Sequence, residues 1–265
     1  NAELHAQQAY LITGRNSVAA HFDASDGISS IDGSASTEDG RPLFAIDSSA
    51  IGGMYTNRIA LIGTEAGVGF RLAGDVYAGA GDALIRADGT LVSNAIDSTG
   101  AINLTSVSGD IQLDQSLHAD AEVQLTAQGN VLNNSKLTSS HGTLIHAAGL
   151  TNSATGLIHS GVTRDGSVIN GHNLTLNLAQ IARNSGSLKS SGGFDVAASR
   201  FENTGSVSSV GATSLDLLSF ANTGELISEA DFQIKATQSL NNDGGSLRHL
   251  GKGTLEVRTP EFSNV

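Results

Sequence analysis

NLTLNLAQIARNSGSLKSSG (173–192), GFDVAASRFENTGSVSSVG (193–211) and ATSLDLLSFANTGELISEA (212–230) follow one another directly, and their columns coincide. Asn184, Asn203 and Asn222 fall in one column, Gly186, Gly205 and Gly224 in a second, Leu188, Val207 and Leu226 in a third, at a spacing of nineteen residues. A fixed period near twenty is the signature of a solenoid, because a coil of that length cannot bury its own apolar face and gains stability only by stacking on its neighbours. A fourth unit, DFQIKATQSLNNDGGSLRHLG (231–251), continues the series, and residues 83–100, 101–120 and 121–141 follow the same plan upstream.

Each coil opens with an alternating strand. Leu176, Val196, Leu215 and Ile234 are in register and point inward, while Asn177, Ala197, Asp216 and Lys235 point outward. A second apolar run is marked by Ile181, Phe201, Phe220 and Leu240. The Asn-Thr-Gly or Asn-Ser-Gly turn comes next, where glycine is expected to supply a positive φ. A third strand starts near Leu188, Val207, Leu226 and Leu247. The fold expected is all-β: a right-handed parallel β-helix with coils of about 19–21 residues and small hairpin or loop excursions. At about 4.8 Å per layer, roughly a dozen layers make a rod on the order of 50–60 Å long. Identical amides stacked at that spacing bond to one another along the axis, so Asn184, Asn203 and Asn222, with Asn242 beyond them, read as a structural ladder.

Composition agrees. The chain has 265 residues, 32 glycines, 4% aromatics and no tryptophan, so its core is built from small and branched aliphatics. Pro42 and Pro260 are its two prolines, as suits a chain whose interior amides are needed for strand pairing. With no cysteine, disulfides and thiolate metal sites are excluded. A net charge of −12, with fourteen Lys and Arg spread along the chain, argues against nucleic acid as a partner. No apolar run approaches the roughly 20 residues that cross a bilayer. The first residues, NAELHAQQAY, lack the basic start and apolar middle of a signal peptide, so the sequence reads as an internal piece of a longer protein.

Two stretches depart from the coil pattern. Residues 160–172, SGVTRDGSVINGH, read as a β-hairpin leaving the stack around Asp165-Gly166, and Arg164, Asp165 and Gly166 form a candidate interaction loop. Deleting 161–171 should leave folding intact and, if this loop carries the interaction, reduce adhesion; unchanged adhesion removes it as a candidate. Residues 23–42, acidic and rich in Ser and Gly, read as a long surface excursion. Its Asp23, Asp26, Asp32, Glu38 and Asp39 lack both the EF-hand spacing and a nonapeptide calcium repeat, so no metal is assigned.

Two features bear on enzymatic chemistry. Asp195 and Asp216 sit about one coil apart with Lys235 beyond, a spacing compatible with the paired carboxylates of a β-helical polysaccharide lyase or hydrolase, and equally with a solvated face. Aligning TLIHAA with EVQLTA puts His146 where Leu125 points inward, as a partly buried histidine. Neither feature assigns a catalytic residue, and no cofactor is implied.

Three phrases in order, AIDSSAIGGMY (45–55), LIGTEAGVGFR (61–71) and AGDVYAGAGD (73–82), together with AELHAQQAYLITGRN (2–16), closely resemble the filamentous haemagglutinin family of two-partner secretion exoproteins. That family includes adhesins, contact-dependent growth-inhibition proteins and haemolysins. The resemblance implies two regions: residues 1–89, the end of the secretion-type β-helix, and residues 90–265, a continuous shaft of haemagglutinin repeats. It also implies export across the outer membrane of a Gram-negative bacterium by a dedicated transporter, display at the cell surface, and a host or bacterial receptor as a further partner. The family's Asn-Pro-Asn secretion motif and its Val-Glu-Asn-Asn word do not occur here, so the transporter-recognition segment is expected outside this sequence. The expected function is the structural shaft of a secreted fibre; the alternative is a β-helical carbohydrate-active enzyme.

Overall fold

The computed structural model describes residues 3–14, 16–20, 28–33, 42–48 and 52–265, with 16–20 and 28–33 described as backbone. Among these residues there is no helix. Twenty-eight strands join through parallel pairing into one continuous sheet system, a β-solenoid of about 11 turns. The reason lies in the alternation. In Leu174–Leu178, Leu174, Leu176 and Leu178 are buried while Asn177 is exposed, and the same inward set recurs one coil on. Leu176 pairs with Val196, Val196 with Leu215, and Leu215 with Ile234. Asn177, Ala197, Asp216 and Lys235 form the matching exposed column. The third strands stack equally strictly, Leu188 on Val207, Val207 on Leu226 and Leu226 on Leu247.

Inside this wall runs a single apolar core whose largest fully buried side chains are Phe70, Phe194, Phe201, Phe220 and Phe232. Phe201 stacks on Phe220 with centroids 5.3 Å apart and rings 17° from parallel. The second-strand column differs from the sequence reading by one residue. Ala182, buried, lies beneath Phe201, while Ile181 pairs with Arg200 and is half-buried. Three short strands per coil also become two in the later coils: Phe194–Asn203, Thr213–Asn222 and Phe232–Asn241 each run ten residues, through the corner that separates Leu174–Leu178 from Ile181–Asn184.

The turn glycines serve a purpose other than the one their sequence suggested. Gly186, Gly205 and Gly224 all have φ outside the left-handed region. A Cβ on them would lie 2.0 Å from the Gly156 carbonyl oxygen, 2.1 Å from that of Gly186 and 2.1 Å from that of Gly205. Each is glycine because the main chain of the coil before it occupies the side-chain position.

The N-terminal excursion carries structure. Asn16–Ala20 and Ile28–Gly33 form a separate antiparallel pair with Ser17 opposite Asp32, so part of the expected loop is a hairpin. Asp23, Asp26, Glu38 and Asp39 lie outside the described residues. On either side of the excursion, Leu4–Thr13 and Met54–Gly63 stack directly, Leu11 on Leu61, which keeps the solenoid continuous.

Candidate functional site

Two constructions stand out from the repeating wall: an internal column of amides and an external hairpin. The first begins at Asn133, whose Nδ2 donates to Asn152 Oδ1 at 2.7 Å. Asn152 donates to Asn184 at 2.8 Å, Asn184 to Asn203 at 2.8 Å, Asn203 to Asn222 at 2.7 Å, Asn222 to Asn242 at 2.7 Å and Asn242 to Asn264 at 2.7 Å. Asn133, Asn152, Asn184, Asn203, Asn222 and Asn242 are all buried. The second amide hydrogen of the interior members reaches a main-chain carbonyl, as Asn184 does to Ser206 at 3.2 Å and Asn203 to Glu225 at 3.2 Å. The column therefore ties side chain to side chain up the axis and side chain to the main chain of the next coil at the same corner. It begins where it does because Leu113 lies beneath Asn133, leaving the Asn133 Oδ1 buried and without a partner.

Asn133, Asn152 and Asn264 were missed in the sequence. Asn152 and Asn133 precede Ser-Ala-Thr-Gly and Asn-Ser-Lys rather than the compact Asn-x-Gly word, and the hairpin stretches the step from Asn152 to Asn184. The usable signal was an asparagine closing each short second strand.

The hairpin leaves after the strand Leu157–Ser160. Val162 and Val168 form an antiparallel bridge, the Thr163 amide donates to Ser167 at 2.9 Å, and the Asp165 carboxylate accepts the Ser167 amide at 3.0 Å. Gly161, Gly166 and Gly171, at its start, tip and return, all carry positive φ. Rather than projecting away, it folds back over the outward face of the third strands. Val162 donates to the Ser139 carbonyl at 2.8 Å, and Arg164 donates to Asp97 at 2.6 Å and Asp120 at 3.4 Å.

Beneath it runs the outward column Asp97, His118, Thr138, His159 and Lys189. His118 is 8% exposed and Thr138 2%, low for outward positions, because the hairpin covers them. The His118 ring lies 2.7 Å from Thr138 Oγ1 through Nδ1 and 2.9 Å from Asp120 Oδ1 through Nε2. His159, two layers on from His118, has its pKa lowered from 6.5 to about 4 by burial and then by the charges of Lys189 and Lys136. Thr163, Arg164, Asp165, Ser167 and Asp120 line a shallow open depression of about 420 Å³. Arg164, Asp165 and Gly166 are all exposed on the hairpin, and the Arg164 guanidinium is engaged with the shaft. Asp97, His118 and Asp120 were not singled out in advance; their spacing of about one coil was the available cue.

Two further expectations are corrected. His146 pairs with Thr126 and is exposed; Ile145 takes the inward place over Leu125. The sequence alignment was one residue out of step, and one residue exchanges the two faces of a strand. Asp195 and Asp216 do not share a column: Asp195 lies opposite Ser214, while Asp216 stands between Ala197 and Lys235 and pairs with the Lys235 ammonium at 3.1 Å. The two carboxylates are not brought together as an acid–base pair.

The sequence matches the haemagglutinin repeat over residues 11–135, 107–163, 158–217 and 208–256. The chain belongs to the filamentous haemagglutinin-like family of haemagglutinin-repeat proteins. Toxin CdiA of Yersinia pestis is 45% identical over 94 residues, 35% of this haemagglutinin-repeat chain and 3% of that protein. The 16S rRNA endonuclease CdiA of Enterobacter cloacae subsp. cloacae is 32% identical over 210 residues, covering 71% of this chain and 6% of its own length. A tRNA nuclease CdiA of Escherichia coli is 32% identical over 207 residues, with 66% and 6% covered. This haemagglutinin-repeat chain therefore spans a small fraction of the curated relatives it matches. No solved structure matches it significantly.

Proposed function

We propose that this chain is a length of shaft in a secreted fibre, displayed at the surface of a Gram-negative bacterium after export by a two-partner secretion transporter. Residues 1–89 would end the secretion-type part of the β-helix, and residues 90–265 would form the haemagglutinin-repeat shaft that continues it. The observation that carries this reading is the coil-on-coil stacking of parallel strands, with an asparagine column that runs from Asn133 to Asn264 and is buried from Asn133 to Asn242. Such a stack offers stiffness and length, and its Asp195 and Asp216 lie in different columns. The shaft's work is to hold a distal toxin or adhesive segment away from the producing cell. Family kinship with proteins named toxin CdiA and tRNA nuclease CdiA supports a role in contact-dependent inhibition. A host or bacterial surface receptor would meet the exposed Asp165-Gly166 tip and the neighbouring Val168, 63% exposed.

Removal of whole coils tests the shaft reading. Deleting residues 193–230, two complete coils, from the parent exoprotein should preserve display and distal activity on a fibre shortened by about 10 Å. Deleting ten residues from the same place should abolish display by destroying the register. Loss of distal activity from a normally displayed whole-coil deletion would show that this stretch carries a specific site and would end the shaft reading.

A further inference from the structure

Stability in a one-dimensional stack is a sum over neighbouring layers, so individual interfaces open and fray independently. From Leu91 to Val265 the main-chain and side-chain hydrogen bonds join a coil to itself or to the next. Arg164 departs from that pattern. Counting back from its root at Leu157–Ser160, the layers are Lys136–Ser139, Leu117–Ala119 and Ile96–Ser98. Its guanidinium meets Asp97 in the last of these, three layers away, and Asp120 beside the one before. That reach is about 14 Å along the axis.

The other end of the hairpin is tied in the opposite direction. The Gly171 amide donates to the Ser191 carbonyl at 3.0 Å, and the Ser191 hydroxyl donates to the Ile169 carbonyl, in the layer that follows. Between these anchors, the Val162 amide holds Ser139 and the Gly161 amide holds His141. Its own turn is closed by the Thr163–Ser167 and Gly166–Thr163 bonds, so tension at the tip passes to the root. Asp97 depends on the clamp: its Oδ2 receives Arg164, while its Oδ1 is buried with no partner, a cost that the Arg164 contact offsets. Removing Arg164 therefore leaves a half-covered carboxylate uncompensated, a larger loss than for an open surface pair.

We infer that the hairpin at 161–171 is a mechanical staple, which welds the five successive layers from Ile96–Ser98 to Ser187–Ser190 into one cooperatively unfolding block of the shaft. This role belongs to the folded chain itself and does not depend on a receptor or on display. It converts a stack that would open one interface at a time into one that resists opening over five layers, on the face the hairpin crosses.

The test compares the intact chain with Arg164→Gln, Asp97→Asn and the double variant, using Arg183→Gln as a control that removes an ion pair between adjacent coils, Arg183 to Glu202 at 3.0 Å. Native-state hydrogen exchange of the strands Ile96–Ser98 and Leu117–Ala119 should accelerate about tenfold in Arg164→Gln, and the urea m-value should fall as the cooperative unit shrinks. Asp97→Asn, which leaves the Arg164–Asp120 contact in place, should do the same to a smaller extent, and the double variant should be no worse than Arg164→Gln alone. Arg183→Gln should leave exchange in these two strands unchanged. Wild-type exchange and m-value in Arg164→Gln, additive effects in the double variant, or equal acceleration in Arg183→Gln would each overturn the staple.

Discussion

The carbonyl oxygen of Gly186 lies 2.1 Å from the point where Gly205 would carry a Cβ, so the two residues stack main chain on main chain at the corner of successive coils. A methyl group there must displace backbone that is already hydrogen-bonded on both sides. Gly205→Ala is expected to destabilise the shaft by about 3 kcal/mol or more. Gly166→Ala offers the contrast, since it has φ 88° but nothing within 4 Å of the added carbon. Its cost is the left-handed backbone alone, about 1–2 kcal/mol. Urea titrations of both variants by circular dichroism should rank Gly205→Ala as the more damaging; the reverse order would refute the close-stacking account.

An interior rung of the amide column is worth more than a terminal one. In Asn203→Ala the buried Asn222 Oδ1 loses its donor, and Asn184 keeps only its longer bond to Ser206. The expected loss is about 2–4 kcal/mol. Asn203→Asp should be worse at neutral pH, because the carboxylate is buried and offers no proton to Asn222. Asn264→Ala, at an exposed end of the column, should cost less than about 1 kcal/mol. Equal effects of Asn203→Ala and Asn264→Ala would mean that the column contributes nothing cooperative.

His159 predicts how stability responds to acid. Its pKa in the folded chain is about 4 against 6.5 in the unfolded chain, so between these values the unfolded chain binds the additional proton. This contribution is fully present above about pH 6.5, declines as the pH falls and is gone below about 4. Because the ring is partly solvated, roughly 1–2 kcal/mol is a discounted magnitude. His172 has its pKa lowered as well, by burial and then by His141, and acts in the same direction. His159→Gln should flatten the stability profile between pH 4 and 6.5, and a variant with the parent's slope would show that other groups set it.

Asp195 is half-buried and its pKa is raised by that burial, so its charged form is held at a penalty above its folded pKa, relieved as pH falls. Asp195→Asn should raise stability at neutral pH by less than about 1 kcal/mol. Asp216→Asn, which loses the exposed Lys235 pair, should lower it by no more than about 1 kcal/mol. Incubating the chain with acidic polysaccharides and following chain length checks the enzymatic alternative; cleavage abolished by either substitution would reinstate it.

Much of the coil was readable from residues alone. Leu176, Val196, Leu215 and Ile234 announced one column and Leu188, Val207 and Leu226 another, because in a solenoid the long-range contact of each residue is its own equivalent one period later. Errors entered where that equivalence had to be counted to a single residue. Ile181 and Ala182 are both apolar, and TLIHAA offers no marker for the strand's start, so His146 was turned inward when pairing with Thr126 turns it out. Turn chemistry was also ambiguous: a glycine required by a neighbouring carbonyl and one required by positive φ look the same in a sequence.

The sequence by itself determined the period, the alternation of faces, the family and the place where a hairpin interrupts the stack, since each is a local property repeated or broken along the chain. Only the tertiary structure decided that the hairpin folds back and that Arg164 grips Asp97 across three layers. The physical reason is that stacking follows from periodic burial, which the sequence writes out coil by coil. A contact that skips layers has no periodic counterpart and exists only once the layers are assembled.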